Sequence, residues 1–204
     1  METIRGRMSH SLDFNGFKNH FTNYSQGPEG RVVLDLGTGD GRYVRFLADR
    51  NPDWFVIGVD SCRENLRDHS RAKLQNMLFI IASAQNLPDE LEGLVSHITV
   101  NFPWGSLLGS LLANDASLMN GLSFVARKNA RIQIFLNGGA MAEQGVDLED
   151  GATQLHENLL TAGWRCGSPI PLSVDVLQRY PTTWAKRLAY GRDPRAMMLS
   201  GTLR

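Results

Sequence analysis

The chain alternates between runs of consecutive apolar residues and stretches in which apolar positions recur every three or four residues. The runs predict buried strands, and the amphipathic stretches predict helices. This alternation indicates a doubly wound α/β sheet with helices on both faces. The predicted strands are 32–36, 55–59, 77–82, 95–101, 131–136, 165–170 and 196–203, and the predicted helices are 42–50, 62–73, 106–126 (alternatively broken at Asn114–Asp115) and 151–162.

The first thirty residues precede this alternating pattern. Residues 4–12 predict a short hairpin, and residues 14–24 predict a helix. We therefore divide the chain into an N-terminal extension, residues 1–30, and a core fold, residues 31–204. With 204 residues, of which 42% are hydrophobic, the chain can bury a full core. We expect residues 1–204 to form a single domain.

A glycine-rich turn follows the first strand of the predicted core. Gly37, Gly39 and Gly41 come directly after an apolar run, where they allow a sharp turn with no Cβ atom in the way of a ligand. Asp60 lies nineteen residues after Gly41, at the end of the second apolar run. A carboxylate at that position can accept hydrogen bonds from both hydroxyls of a ribose. The spacing predicts a site for an adenosine cofactor.

Two acidic residues decide between the possible cofactors. The spacing of the glycines differs from the Gly-x-Gly-x-x-Gly pattern of dinucleotide sites, and Asp40 stands among them, where it would repel a pyrophosphate. Asp35 precedes the turn, and carboxylates suit the ammonium and sulfonium groups of S-adenosylmethionine. We therefore predict a class I S-adenosylmethionine-dependent methyltransferase with a seven-stranded Rossmann-like sheet. The alternatives are a Rossmann-type dehydrogenase and a glycine turn with no ligand.

The net charge of zero conceals an uneven distribution. Residues 179–204 carry six basic residues against the single acid Asp193, so this segment has a charge of +5 and the rest of the chain −5. A basic cluster of this kind favours a polyanion such as RNA, although a solvated basic surface is the simpler alternative.

Other classes of protein are not indicated. No apolar run is long enough to cross a membrane, and the first residues lack the apolar core of a signal peptide, so we expect a cytoplasmic protein. Cys62 and Cys166 lie far apart without a CxxC pattern, and the five histidines have no ligand spacing. We expect neither a disulfide nor a metal site.

Two tryptophans stand beside special turns or basic residues. Trp104 follows Pro103 in the segment Asn101–Leu108, after the fourth strand of the predicted core, in a loop that proline stiffens. Trp184 lies in a predicted helix that starts from a threonine cap after Pro181 and ends at Gly191. Either tryptophan alone is as readily explained by core packing. Together they suggest a clamp for a flipped-out adenine, in which each ring contributes about 1–3 kcal/mol.

Three segments of the chain also resemble a known family. Asp35–Arg42, Phe102–Leu108 and Trp184–Arg192 are similar to the corresponding segments of the aminoglycoside-resistance 16S rRNA (adenine(1408)-N1)-methyltransferases. Ala84–Pro88 and Ser200–Thr202 fit the same family, so the resemblance covers nearly the whole chain. It implies S-adenosylmethionine as cofactor, 16S rRNA in the 30S subunit as substrate, and an enzyme that we expect to be a monomer.

The resemblance also implies roles for individual residues. Trp104 and Trp184 sandwich the target adenine, with Pro103 beside them. The residues assigned to S-adenosylmethionine are Asp35, Gly37, Thr38, Gly39, Asp60, Ala84, Gln85 and Ser106, and those assigned to rRNA are Lys186, Arg187, Arg192, Arg195, Arg71, Lys73 and Thr182.

The chain departs from the family pattern in three places. Residues 70–77 are shorter than the lysine-rich loop expected there, which leaves Arg71 and Lys73 as the basic residues of that region. Gln85 replaces an acidic residue, and its amide oxygen can still meet the cofactor's adenine. The loop formed by residues 137–151 is also shorter than in the family pattern, and it is acidic.

Two alternative functions remain open from the sequence. One is a methyltransferase of the same fold that acts on tRNA or a small molecule, which the short segment 70–77 supports. The other is a degenerate domain that binds rRNA or cofactor without turnover, which the intact glycine turn and Asp60 disfavour.

Overall fold

The computed structural model describes residues 1–25, 31–72, 74–191 and 193–204. Ten strands in these ranges form one sheet, in the order β2-β1-β5-β4-β3-β6-β7-β10-β8, with β9 paired to β10. They are β1 (Glu2–Arg5), β2 (Met8–Ser11), β3 (Arg31–Leu36), β4 (Trp54–Asp60), β5 (Met77–Ile81), β6 (Val95–Asn101), β7 (Ala126–Asn137), β8 (Trp164–Cys166), β9 (Ile170–Pro171) and β10 (Ala196–Leu203).

The order in which the chain adds strands to the sheet reverses between β3 and β6. From β3 the chain passes outwards to β4 and β5, and it then returns to the other side of β3 to form β6 and β7; these five strands are parallel. β10 lies antiparallel between β7 and β8. Ligands of open α/β sheets bind at such a switch point, outside the carboxyl ends of the strands. The carboxyl ends of β3 and β6 are therefore the expected position of the site.

Helices cover both faces of the sheet. They are α1 (Phe14–Ser25), α2 (Arg42–Arg50), α3 (Arg63–Leu66), α4 (Gly105–Leu112), α5 (Ala116–Val125), α6 (Gly138–Glu143), α7 (Leu148–Thr161), α8 (Val174–Arg179) and α9 (Thr183–Ala189). Alternate residues of β3 point to opposite sides of the sheet: Leu34 packs in a core with α1, α4, α5 and α7, and Val33 packs in a second core with α2 and α3. A third cluster joins α8 and α9 to Phe102 and Phe135.

The predicted α/β sheet is confirmed, and so is the N-terminal hairpin followed by a helix. The predicted number of seven strands is wrong: the sheet has ten strands in the described ranges, because the hairpin adds β1 and β2 and the strand predicted at 165–170 is divided in two. The hairpin turns at Gly6, which has a φ of 64°, and β1 extends the sheet by antiparallel pairing with β5. The break in the predicted helix 106–126 is also confirmed. Asn114 has a φ of 53°, and the carboxylate of Asp115 caps α5 by accepting a hydrogen bond from Leu118 N.

Two predicted elements are wrong. Over residues 62–72 the predicted helix is replaced by the four-residue α3 and a 3₁₀ turn at His69–Arg71; residue 73 lies outside the described residues. The buried Ser70 hydroxyl in this turn accepts a hydrogen bond from Gly6 N, which fixes the segment against the N-terminal hairpin. The strand predicted for residues 165–170 is divided into β8 and β9, which Gly167 and Pro169 separate. Two helices, α6 and α8, were not predicted from the sequence. They lie after β7 and before α9, respectively.

Within the described ranges no helix is long and apolar enough to cross a membrane. Cys62 is exposed, Cys166 is half-buried, and both are free thiols.

Candidate cofactor and target-base site

One pocket of about 570 Å³ opens at the carboxyl ends of β3, β4 and β6. Its walls come from the turn after β3, the loops after β4 and β5, the segment between β6 and α4, and the start of α9. Most of the predicted site residues lie together in it: Asp35, Gly37, Thr38, Gly39, Asp60, Ala84, Gln85, Pro103, Trp104, Ser106, Thr182, Trp184 and Arg187.

The glycine turn brings its backbone close to the neighbouring strand. The N–H groups of Gly37 and Thr38 both donate to the carbonyl of Val59 at the end of β4, at 2.8 and 3.0 Å. Gly37 and Gly41 have φ values of 69° and 75°, in the left-handed region that glycine tolerates. A Cβ atom on Gly41 would lie 2.6 Å from the ring of Phe79. The turn therefore requires glycine on conformational and packing grounds.

Asp35 presents a buried carboxylate oxygen that is available to a ligand. Its Oδ1 atom accepts hydrogen bonds from the Thr99 hydroxyl at 2.8 Å and from Asn101 Nδ2 at 2.7 Å. Its Oδ2 atom and the Thr38 hydroxyl are buried without a hydrogen-bond partner in the described part of the chain. Burial raises the pKa of Asp35 to about 6, because the hydrogen bonds to its carboxyl group only partly offset the loss of hydration. A cationic amino group fits this oxygen.

Asp60 lies at the opposite side of the turn, at the end of β4. Its Oδ2 atom accepts a hydrogen bond from Gly39 N at 2.8 Å, and its Oδ1 atom accepts from Cys62 N at 2.8 Å and from Asn65 Nδ2 at 3.5 Å. A carboxylate oxygen can accept two hydrogen bonds, so Oδ2 can receive one ribose hydroxyl, and a second hydroxyl at Oδ1 would replace the long contact with Asn65. Asp35 and Asp60 together suit the two polar parts of a nucleoside that carries an amino acid, as S-adenosylmethionine does.

Gln85 is fixed at the rim of the pocket. Its side-chain nitrogen donates to the Ser110 hydroxyl at 2.8 Å, and its side-chain oxygen accepts from the Ser83 hydroxyl at 2.6 Å. This oxygen retains capacity for one more hydrogen bond. The amide therefore meets the requirement for contact with an adenine amino group, although it carries no charge.

The two tryptophans stack directly on each other. Their ring centroids are 5.0 Å apart and the ring planes differ by 15°. Trp104 is held between Pro103 and the first turn of α4, and the buried Phe102 before them has a φ of 53°. Trp184 lies in the first turn of α9, whose N-cap is Thr182: the Thr182 hydroxyl accepts a hydrogen bond from Ala185 N at 3.0 Å. Two different segments thus present parallel rings at the mouth of the pocket.

Comparisons with known proteins decide the family. The family model NpmA, described as 16S rRNA (adenine(1408)-N(1))-methyltransferase, matches residues 2–203. The chain belongs to this family. An Escherichia coli protein of that description is 32% identical over 189 residues, which are 84% of this chain and 86% of that protein. One from Streptoalloteichus tenebrarius is 30% identical over 189 residues, 84% of this chain and 87% of that protein.

Solved structures of similar proteins agree with this result. The structure of the 16S rRNA methyltransferase KamB has a TM-score of 0.87 at 29% identity, covering 100% of this chain and 99% of that one. The aminoglycoside resistance methyltransferase NpmB1 has a TM-score of 0.80 at 29% identity, with coverage of 100% and 99%. The predicted family and class I methyltransferase fold are confirmed, and this member of the family is an S-adenosylmethionine-dependent methyltransferase.

The predicted RNA-binding residues are more widely scattered over the structure than the predicted cofactor residues. Arg187 is exposed, and its guanidinium carbon lies 5.1 Å from the centre of the Trp184 ring. Lys186 is exposed beside it on α9. Arg195 forms a 2.9 Å ion pair with Asp193, and Arg71 lies 3.8 Å from Asp68 in the segment before β5. Lys73 and Arg192 lie outside the described residues. The structure places Thr182 not on the surface but buried at the N-cap of α9.

Four polar residues in or beside the pocket were not predicted from the sequence; three of them line the pocket, and Tyr180 lies behind it in contact with Tyr43 and Asn101. They connect the residues around Asp35 to the segment that carries Trp184. Asn101 was noticed only as the start of a motif, and nothing in the sequence indicated that residues near positions 35 and 180 meet. The four residues are Tyr43, Asn101, Tyr180 and Thr183.

Proposed function

We propose that this protein transfers the methyl group of S-adenosylmethionine to N1 of adenine 1408 in helix 44 of 16S rRNA, and that it acts on the assembled 30S subunit. The observation that carries the proposal is the continuity of one pocket. Asp35, which has an unpaired buried oxygen, and the parallel rings of Trp104 and Trp184 line this same pocket. A cofactor whose amino group is bound at Asp35 can thus present its methyl group to a flat base in the same cavity.

We assign the cofactor residues by their hydrogen-bonding capacity. Asp35 and the Thr38 hydroxyl would bind the amino-acid end, since both have unused capacity. Asp60 would accept the ribose hydroxyls, with Gly37 and Gly39 providing close backbone approach. Ala84, Gln85 and Ser106 line the remaining walls around the adenine and the methionine chain. The cofactor supplies an electrophilic methyl group on a sulfonium.

We assign the target base to the space between the tryptophans. A base with a ring on each side needs roughly 7 Å between those rings, because carbon atoms in contact lie about 3.5–4 Å apart. The centroids of Trp104 and Trp184 are 5.0 Å apart. One ring must therefore move by about 2 Å to admit adenine. Two base–tryptophan stacks of about 1–3 kcal/mol each would replace one tryptophan–tryptophan contact of about 0.5–1.5 kcal/mol.

Methyl transfer to N1 needs positioning rather than a general base. N1 of adenine is unprotonated near neutral pH and carries a lone pair, so the N1–carbon bond can form as the sulfur–carbon bond breaks, with no proton to remove. Trp104 and Trp184 would fix the plane of the base, and Pro103 and nearby carbonyls would accept from its exocyclic amine. Holding the two reactants in line would provide most of the rate enhancement. The product bears a positive charge that opposes the binding of a cationic aminoglycoside.

We assign the rRNA contacts to the exposed cations nearest the tryptophans. Lys186 and Arg187 share α9 with Trp184, and Arg187 lines the pocket itself. Arg195, Arg71, Lys73 and Arg192 would contribute further phosphate contacts. We infer that the enzyme works in the cytoplasm, where ribosomes assemble, as a single-domain monomer.

The direct test is incorporation of a labelled methyl group into purified 30S subunits, with the position mapped by reverse-transcription stops. We expect one stop at adenine 1408 and a loss of rate of about 5- to 150-fold in each of Trp104→Ala and Trp184→Ala, because each variant removes one stack of about 1–3 kcal/mol. Phe124→Ala is the matched control, because Phe124 is 38% exposed, close to the 36% of Trp104, and lies on α5 outside the pocket.

The outcomes separate the alternatives. No incorporation into active 30S subunits, from a protein that binds S-adenosylhomocysteine, would reject the rRNA reaction and direct the search to tRNA and small molecules. Binding of 30S subunits without methylation would instead identify a degenerate rRNA-binding domain. A stop that persists in both tryptophan variants would reject the clamp while leaving the reaction in place.

A further inference from the structure

The segment that carries Trp184 is tied to the cofactor end of the pocket by a chain of hydrogen bonds. The Tyr180 hydroxyl donates to Asn101 Oδ1 at 2.6 Å, and Asn101 Nδ2 donates to Asp35 Oδ1 at 2.7 Å. Tyr180 belongs to the turn between α8 and α9, where its carbonyl accepts from Thr182 N at 3.0 Å. Because Thr182 caps α9, the position of Tyr180 sets where the helix with Trp184 begins.

A second contact ties the same segment to the glycine turn. The Thr183 hydroxyl donates to Asp40 Oδ2 at 2.7 Å, and the other oxygen of Asp40 accepts from Arg42 N at 3.0 Å. From the sequence, Asp40 served only as an argument against a pyrophosphate in the glycine turn. In the structure it lines the pocket, and its carboxylate also connects the turn to α9. The two contacts come from adjacent parts of one short segment and reach the turn and the strand on which the proposed cofactor site is built.

The ring of Tyr180 also contacts the segment that carries the other tryptophan. It packs against Phe135 with a centroid distance of 4.6 Å, and it meets Phe102 edge-on at 6.2 Å. Phe102 precedes Trp104 by two residues. Tyr43 stacks on the other side at 5.4 Å. Tyr180 therefore stands where the two tryptophan segments and the carboxylate of Asp35 come together.

We propose that Tyr180, Asn101 and Thr183 are positioning residues that couple the cofactor to the tryptophan clamp, so that cofactor and rRNA bind cooperatively. This inference rests on the proposed function of the same pocket. The hydrogen bonds link the groups in one direction: the phenol donates to the amide, and the amide donates to the carboxylate. An ammonium group bound at the free oxygen of Asp35 would hold the carboxylate in one orientation, and Asn101 and Tyr180 would become ordered with it, since linked hydrogen bonds reinforce each other.

The coupling must act in both directions. If cofactor binding favours the position of α9 that receives the base, base binding favours the cofactor by the same factor. Burial raises the pKa of Tyr180 far above its ordinary value, so its hydroxyl remains a donor throughout the working pH range. A purely structural tyrosine would affect both ligands independently. Only a coupling role predicts that the effect of one ligand on the other is lost.

The test measures the affinity of dye-labelled enzyme for 30S subunits with and without saturating S-adenosylhomocysteine. We expect the cofactor product to tighten 30S binding of the natural enzyme about five- to tenfold, near the lower end of typical coupling factors. Tyr180→Phe removes the hydroxyl but keeps the ring, and it should reduce this ratio to within twofold of one. Tyr24→Phe is the matched control, because Tyr24 packs on Phe55 in the core beside α1.

Thr183 supplies a second and independent variant. Thr183→Val should lower the ratio, whereas Thr183→Ser keeps the hydroxyl and should restore it. This pair tests the proposal even if Tyr180→Phe is poorly folded, which its melting temperature would reveal. A ratio near one in the natural enzyme, or an unchanged ratio in Tyr180→Phe and Thr183→Val, would overturn the coupling. A natural enzyme that neither binds nor methylates 30S subunits would overturn the proposed function itself, which is a different result.

Discussion

Replacing Asp35 by asparagine should stabilise the protein while it weakens cofactor binding. The folded state raises the pKa of this buried carboxyl from 3.8 to about 6. The difference of about 2 pKa units corresponds to about 3 kcal/mol by which the ionised carboxylate destabilises the fold. Asparagine removes that charge and keeps an acceptor for Thr99 and Asn101. The side-chain N–H groups of the new asparagine have no hydrogen-bond acceptor, which costs about 1 kcal/mol. The free energy of unfolding should therefore rise by a net amount of about 2 kcal/mol.

The gain has a defined dependence on pH. Because the folded-state pKa of Asp35 is the higher one, the penalty is complete above pH 6, where the carboxyl is ionised in both states. It declines as the pH falls from about 6 to 3.8, since the natural protein then folds with uptake of a proton. We expect Asp35→Asn to melt about 4–8 °C above the natural protein at pH 8, for a chain of this size. At pH 5 the advantage should shrink to about 0.5 kcal/mol.

Cofactor binding should change in the opposite sense. Loss of the pair between Asp35 and the cofactor ammonium should weaken S-adenosylhomocysteine binding about 10- to 100-fold by calorimetry, as expected for a hydrogen bond between charged groups. In the natural protein the affinity should also decline below pH 6, because the carboxyl must release a proton before it accepts the ammonium.

Asp60→Asn is the matched control for this experiment. Asp60 also lines the pocket in which we propose that the cofactor binds, but its oxygens accept backbone hydrogen bonds from Gly39 and Cys62. We expect this variant to lose cofactor affinity without any gain in stability. The reasoning is refuted if Asp35→Asn melts below the natural protein at pH 8, or if the difference between them is the same at pH 5 and pH 8.

Two further predictions concern α9. Thr182→Ala removes the hydroxyl that caps the helix and should lower the free energy of unfolding by about 0.5–2 kcal/mol in urea titrations. Thr182→Ser keeps the hydroxyl and should not lower it. Equal losses in both variants would show that the cap is unimportant. Arg187→Ala should weaken 30S binding and reduce the slope of log affinity against log salt concentration by about one. Lys128→Ala, an exposed cation at the start of β7, is the control, and an equal change there would show that Arg187 acts only through overall charge.

The sequence was most informative where the chemistry is local. The apolar runs predicted β3 to β7, because parallel strands are buried on both faces, and a further apolar segment predicted the antiparallel strand β10. The glycine turn with Asp35 and Asp60 predicted the cofactor pocket, since the residues that form the turn are neighbours in sequence. The sequence predicted that Trp104 and Trp184 lie close together, and they stack in the structure. This prediction was possible only because each tryptophan stands beside a recognisable turn or basic cluster.

The errors arose where contacts between distant residues decide the local structure. Residues 62–73 have helical composition, yet the helix ends after one turn, and the contact of Ser70 with Gly6 fixes the segment that follows. The interruption between β8 and β9 was visible as Gly167 and Pro169 but was outweighed by the apolar residues around it. The chain from Tyr180 to Asp35 spans residues far apart in sequence, and no periodicity in the sequence indicates such a contact. Sequence patterns therefore located the pocket but not its internal connections.

The stacked tryptophans have a consequence for inhibitor design. In the structure the two rings fill the slot that we propose for the base, and they line the same pocket of about 570 Å³ as the proposed cofactor residues. A flat bicyclic group joined by a short linker to an adenosine unit would occupy both proposed sites at once. The second group would then bind at the high effective concentration that the linker provides. If the proposed function holds, such a compound would compete with both the methyl donor and the ribosome and would restore the action of aminoglycosides.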